Sequence, residues 1–324
     1  MMKLKINRVC IPAIILISVA FSGCLEEVAD DVFASGPVLA INGLITNEAG
    51  PYYVRITKSN STLTDFNQFD INGSSTLTSK EDRIVHEPVT DAIVIITDSE
   101  GNLDTMTLSP LQYNNAAQAD TWGEFGFYET TTDMLGKPGN TYVLTVLYEG
   151  KEYTAVSTMP AVPPVIDKVD FDMKILTSGQ PEPYPVPVIS FDEPQDEVNF
   201  YRFAYWGGSN GTLYTESFNL LALIFDDVII LDDEFLGARV ESLSLDAALV
   251  EGQGLDPFLG DSTAIYNYAL EENIFDYYED LQRQIRSDGG AFSPAPASPR
   301  SNFSNGALGI WQASAVSRRM VLSP

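Results

Sequence analysis

The sequence predicts a mainly β protein in two parts: an N-terminal immunoglobulin-like or transthyretin-like β-sandwich, then a second β-rich domain carrying one long amphipathic helix. Three observations carry this reading. Short β-rich runs separated by turn residues recur from Pro37 to Pro164, the spacing expected of a two-sheet sandwich. Met159-Pro160-Ala161-Val162-Pro163-Pro164 then breaks the pattern, and prolines so dense hold the chain stiff and extended. Beyond that connector the strand pattern restarts, and one long stretch spaces its apolar residues three to four apart, as a helix face does.

The elements follow in order. Val38 to Ile45 is apolar and β-rich, and Tyr52 to Thr57 alternates. Ala92 to Thr97 is a continuous apolar run suited to an interior strand, and Ser99-Glu100-Gly101-Asn102 turns it into Leu103 to Leu108. Phe125 to Thr130 is a further strand. Tyr142 to Leu147 and Tyr153 to Val156 form a hairpin about Glu149-Gly150. Two long polar interruptions, 60–88 and 110–123, read as surface loops. In the second part, Val165 to Ile175, Val186 to Phe191, Phe200 to Trp206 and Arg239 to Leu245 are strands, and Ala222 to Leu231 is an apolar run bracketed by acids. Asp261 or Ser262 caps a helix over about 264–287, whose stripe runs through Tyr266, Ala269, Leu270, Asn273, Ile274, Tyr277, Leu281 and Ile285. Leu308 to Ala313 gives a terminal strand. The expected organisation is 24–36 as an acidic tether, 37–158 as the sandwich, 159–164 as the connector and 165–324 as the second domain.

The first 23 residues read as an export signal. Lys3, Lys5 and Arg8 precede an apolar run from Val9 to Phe21, which is followed by Ser22-Gly23-Cys24. The run is too short for the roughly 20 apolar residues that span a bilayer. Phe21-Ser22-Gly23-Cys24 resembles a bacterial lipobox, with Phe21 in place of the usual aliphatic residue, and this makes Cys24 the lipidated first residue of the mature chain. Cys10 leaves with the signal, so no thiol remains for a disulfide and the body folds on its core alone. Stable anchoring needs more than one acyl chain, which lipoproteins of this kind supply. Glu26 and Glu27, just after Cys24, resemble the surface-export signal of Bacteroidota lipoproteins.

The formal net charge is −27, from 45 acids against 18 lysines and arginines, and loss of the signal makes it more negative. Such a surface repels nucleic-acid phosphates, so no nucleic-acid partner is expected. His86 is the only histidine, and no triad, zinc, phosphate-loop or dinucleotide motif occurs. No catalytic residue, cofactor or dedicated metal site is therefore expected. Asp98, Glu100, Asn102 and Asp104 place oxygens at alternate positions and form a weak calcium candidate, without the layout of an EF-hand; a β-turn joining two strands explains them more simply. Trp122, Trp206 and Trp311 are candidates for stacking on a ligand, with core packing as the alternative for each. Two other classes stay open. One is a carboxylate-based glycan hydrolase, since acids abound. The other is a structural envelope or adhesin lipoprotein.

Five features, in order, are similar to a Bacteroidota outer-membrane lipoprotein family catalogued as domain of unknown function 4249. They are the lipobox at Cys24, the opening Val38 to Ile45, and Pro88 to Ile95 with its Asp98/Gly101 turn. Gly139 to Leu144 leading to Met159-Pro160 is the fourth. The ending Gly290-Ala291-Phe292-Ser293 to Pro296, with Asn302, Gly306 and Leu308-Gly309-Ile310-Trp311, is the fifth. The resemblance implies a lipid-anchored protein of the outer membrane, on the cell surface, in the company of a TonB-dependent receptor. It implies an accessory or ligand-capture role in uptake and carries over no catalytic residue.

Overall fold

Alternation and burial agree along two strands of the first half, Ile93–Asp98 and Thr141–Tyr148. The computed structural model describes residues 37–59, 86–112, 121–174, 184–195, 197–209, 212–213, 229–233, 236–245, 262–286 and 299–322. The export signal, Cys24 and the acidic tether lie outside these residues, as do 60–85 and 113–120 of the polar interruptions. The strands of the first half are β1 (Leu39–Thr46), β2 (Tyr53–Ser59), β3 (His86–Pro88), β4 (Ile93–Asp98), β5 (Leu103–Leu108), β6 (Phe127–Glu129), β7 (Thr141–Tyr148) and β8 (Lys151–Thr158). Those of the second half are β9 (Lys168–Lys174), β10 (Tyr184–Asp192), β11 (Phe200–Ser209), β12 (Thr212–Leu213), β13 (Ile229–Asp232), β14 (Arg239–Ser244), β15 (Ser262–Leu270), β16 (Leu308–Ser314) and β17 (Val316–Leu322). One α-helix occurs among the described residues, α1 (Glu272–Arg286). The protein is thus mainly β.

Nine strands form the largest sheet, ordered β16-β1-β2-β6-β5-β4-β7-β8 with β3 on β2. β16 is parallel to β1, in the register Gly43↔Trp311, whereas β1 and β2, β4 and β7, and β7 and β8 run antiparallel. The β7–β8 hairpin turns through Glu149 (φ 48) and Gly150 (φ 74), the two left-handed residues that a tight hairpin matched to strand twist requires. The two ends of the path meet. Ala313 N donates to Ser157 Oγ at 3.0 Å, and the Trp311 indole N–H donates to the Tyr142 carbonyl at 3.1 Å. The sheet therefore curls nearly into a barrel around Ile41, Val54, Ile56, Val94, Ile96, Leu144, Val146 and Trp311, and its ends are not left as open edges. The division expected at 159–164 is crossed by β16, which lies beyond the connector and completes a sheet built from strands before it.

The remaining strands form a three-stranded sheet, β14-β10-β9, and a five-stranded one, β12-β11-β15-β17 with β13 on β11. All nine residues of β15 are buried. Ala264, Tyr266, Tyr268 and Leu270 share a core with Ile274, Tyr277 and Tyr278 of α1. Ile265 packs on the opposite side with Phe203, Tyr201, Phe191 and Ile189. Burying a side chain such as Ile274 fully stabilises by about 1.5–3 kcal/mol, which holds α1 on the sheet.

The helix expected over about 264–287 is corrected here. Its first third is β15, and the helix starts at Glu272, so Ser262 does not cap it, and Asp261 lies outside the described residues. A strand buried on both faces has no alternation to reveal it, and its apolar residues mimic a helical stripe. Ser262 is itself buried at the start of β15. The backbone carbonyl of Glu271 accepts from Ile274 N and Phe275 N, both at 3.0 Å. The Glu271 carboxylate takes the Ser157 hydroxyl at 2.6 Å and Thr158 N at 2.9 Å, which ties the helix start to β8.

Candidate functional site

The inward side chains of β5, β4, β7 and β8 build the first core, so period two places their neighbours on one outer face. Strand register orders that face in rows: Leu103, Thr97, Val143 and Val156; then Thr105, Ile95, Thr145 and Thr154; then Ile93, Leu147 and Glu152, with Thr107 following Thr105 along β5. Ile93, Leu103 and Val156 are 52%, 57% and 52% exposed. Glu152 is the only ionisable residue in these rows, in a chain with 45 acids. By strand spacing and rise the face covers roughly 400 Å², the size of patch that is often functional on a monomer. A partner that covers the first two rows dries them without stranding a charge, the costly event at an interface, and Glu152 stays at the rim of the third. The sequence carried a signal for it: apart from Glu152, the outward positions in these rows are threonine and aliphatic residues rather than lysine and glutamate.

The calcium candidates are engaged in the fold. Asp98 Oδ1 accepts from Glu100 N at 3.0 Å and Asn102 N at 2.8 Å, and Oδ2 accepts from Asn102 Nδ2 at 2.7 Å. These bonds close the β4–β5 turn and hold the carboxylate below its usual range against the desolvation that raises it. Glu100 pairs with Lys137 at 2.6 Å. Asp104 is buried and accepts from Thr131 N, Thr132 N and the Thr132 hydroxyl at 3.0, 2.6 and 2.5 Å. The turn thus holds Asp98, Glu100 and Asn102 together, while Asp104 serves a different segment.

The three tryptophans are not gathered into one surface. Trp311 is fully buried, so it offers no face to a ligand: its ring fills the first core, where Gly43 makes room for it. Trp122 is half-buried in a short 3-10 turn and meets Phe127 edge-on at 5.2 Å. Trp206 is half-buried against the β15–α1 core. His86 begins β3, and its side chain lies outside the described residues.

Two polar clusters escaped the sequence reading. Glu193 is 4% exposed and accepts from the Tyr201 hydroxyl at 2.8 Å and Asn199 Nδ2 at 3.3 Å, both on Oε1. Its Oε2 is buried and has no hydrogen-bond partner among the described residues. Desolvation pushes this carboxyl up, the Tyr201 and Asn199 bonds oppose it, and the charges of Asp233 and Glu197 add to it. Asp233 lies on the far side of Asn199, whose N donates to Asp233 Oδ2 at 2.7 Å. In the second cluster, buried Arg202 lies over the rings of Tyr268 and Tyr278 at 5.2 and 5.0 Å. Its Nη1 donates to the Tyr278 hydroxyl at 3.0 Å, and that hydroxyl donates to Gln312 Oε1 at 2.6 Å. A lone arginine inside the aromatic run Phe200 to Trp206 was the signal available for it.

No curated protein matches the chain. The family model described as Domain of unknown function (DUF4249) matches residues 26–320, from the acidic tether through β16 and into β17. The match is with the family that the ordered motifs resemble, and two of those motifs, at opposite ends of the sequence, are paired as β1 and β16. With nearly the whole length covered, the chain belongs to the DUF4249 family.

Proposed function

We propose that this protein is a lipid-anchored, cell-surface protein of the outer membrane that acts as a non-enzymatic accessory or ligand-capture subunit of a TonB-dependent nutrient receptor. The observation that carries the reading is the outer face of β5, β4, β7 and β8, which bears one ionisable residue, Glu152, on a strongly acidic chain, a surface suited to docking on another protein. The export signal and Cys24 supply the anchor, and the threonine hydroxyls of the face supply hydrogen bonds to a polar partner. We read the curled sheet as an immunoglobulin-like or transthyretin-like sandwich, with β5 the strand through which its two layers join. In that arrangement one whole layer is free to present its outer face.

The experiment is a crosslinked pulldown of the lipidated protein from native outer membrane, with partners identified by mass spectrometry. A β-barrel receptor in stoichiometric amount is the expected result. A protein recovered alone, with the anchor verified on Cys24, overturns the accessory role.

A second reading is favoured by one observation. Glu193, whose carboxyl is raised by burial, lies near Asp233 across Asn199, and two neighbouring carboxyl groups are what a glycoside hydrolase uses. Hydrolysis of a glycan panel that is lost in Glu193→Gln supports it. No hydrolysis by the parent protein retires it.

A further inference from the structure

β17 pairs with β15 on one side and is the last strand of its sheet. Ala269 N donates to the Ala315 carbonyl at 2.9 Å, which fixes the alternation of the ladder that follows. The backbone groups of Ser317, Arg319 and Val321 face β15, and those of Val316, Arg318 and Met320 face away. At Val316 a side chain takes the place of the next strand: Val316 N donates to Asn47 Oδ1 at 2.6 Å, and its carbonyl accepts from Asn47 Nδ2 at 3.3 Å. Past Val316 that substitute ends. Among the described residues nothing hydrogen-bonds the outward N–H and C=O groups of Arg318 and Met320.

Charge then selects what fits there. Arg318 and Arg319 are exposed neighbours and fall on opposite faces of the strand. No carboxylate among the described residues lies within ion-pair distance of either, and Asp167, whose charge Arg319 feels, is already bonded by Arg239. Two adjacent cations on an open strand edge contrast with a chain of net charge −27. A second copy pairing through this edge would set arginines against arginines, which is destabilising. An acidic strand would place a carboxylate over each face.

We propose that the outer edge of β17 is a docking site for an extended acidic segment of a partner protein, which adds to the sheet as a further strand. Main-chain bonds to Arg318 and Met320 supply the attachment, and Arg318 and Arg319 supply the preference for acidic sequence. The site rests neither on the lipid anchor nor on a receptor.

The test titrates the purified full chain, in detergent, into a fluorescent peptide of alternating glutamate and valine, with a lysine–valine peptide beside it. The glutamate peptide binds and is weakened by salt, whereas the lysine peptide does not bind. The double variant Arg318→Glu/Arg319→Glu weakens binding by at least roughly tenfold. Met320→Pro does the same by removing an outward N–H, a change that edge strands tolerate. No binding of the glutamate peptide up to about 1 mM, or equal binding by the charge-reversed variant, overturns the proposal and leaves the arginines as guards against aggregation. The charge reversal alters no backbone group, so it decides the matter even if the proline variant unfolds.

Discussion

At the scale of single residues, the closure of the first sheet depends on how near β1 and β16 approach. A Cβ at Gly43 would stand 2.8 Å from the Trp311 ring and 2.9 Å from Val54 Cγ2, closer than real Cβ contacts. Gly43→Ala is expected to cost about 1–3 kcal/mol, the range for overpacking a filled core, read as a lower urea midpoint with the fluorescence of buried Trp311 changed. A variant as stable as the parent would show that the ring has room to move. The same scale shows why the tryptophan and calcium candidates were hard to settle in advance. Trp311 and Trp206 sit in similar apolar strings, yet one is sealed by β1, whose Gly43 lies 268 positions earlier in the chain, and the other is half-buried. Asp98 and Asp104 share an acidic run, but the first closes its own turn while the second reaches Thr131 and Thr132.

At the scale of elements, α1 is held by packing and by one buried hydroxyl. Tyr278→Phe removes the group that accepts from Arg202 and donates to Gln312, leaving a buried carbonyl oxygen without that donor. A loss of about 1–3 kcal/mol is expected, measured by thermal unfolding. An unchanged midpoint would mean that the network contributes nothing to docking the helix. Glu193 gives the junction of β10, β11 and β13 a pH dependence. Its folded-state pKa is raised above the ordinary 4.5 by burial, so its stabilising contribution is complete below the unfolded value and is lost as pH rises through the folded one. Glu193→Gln, which copies the protonated form, is therefore expected to raise the urea midpoint at pH 7 and to match the parent at pH 4. A glutamine variant that is less stable at pH 7 would contradict this.

For the whole molecule, the charge-poor outer face of β5, β4, β7 and β8 and the anchor must work together if the protein serves a receptor. Ile93→Lys and Val156→Lys place charges at exposed positions of that face, where surface substitutions change stability by no more than about 0.5 kcal/mol. Copurification of the receptor is expected to fall by roughly tenfold or more for the pair, equivalent to about 1.4 kcal/mol, with the melting temperature kept. Full recovery with both lysines present would place the docking surface elsewhere.

The β class, most strand positions, the Glu149-Gly150 hairpin and the family resemblance were all legible in the sequence, because turn chemistry and period-two burial are local properties. The tight β7–β8 turn needs only its own two residues to be recognised. Helix α1 was half legible: Ile274, Tyr277 and Leu281 carry a true helical stripe, but β15 just before it is buried on both faces and has no period to display. The tertiary structure alone decided that β16 returns to lie parallel to β1, that the curled sheet puts Trp311 inside, and that β17 ends with an open, arginine-bearing edge. These are pairings between segments far apart in the chain. Burial pattern tells a strand that it needs a partner, but its own residues do not say which distant strand will supply the hydrogen bonds.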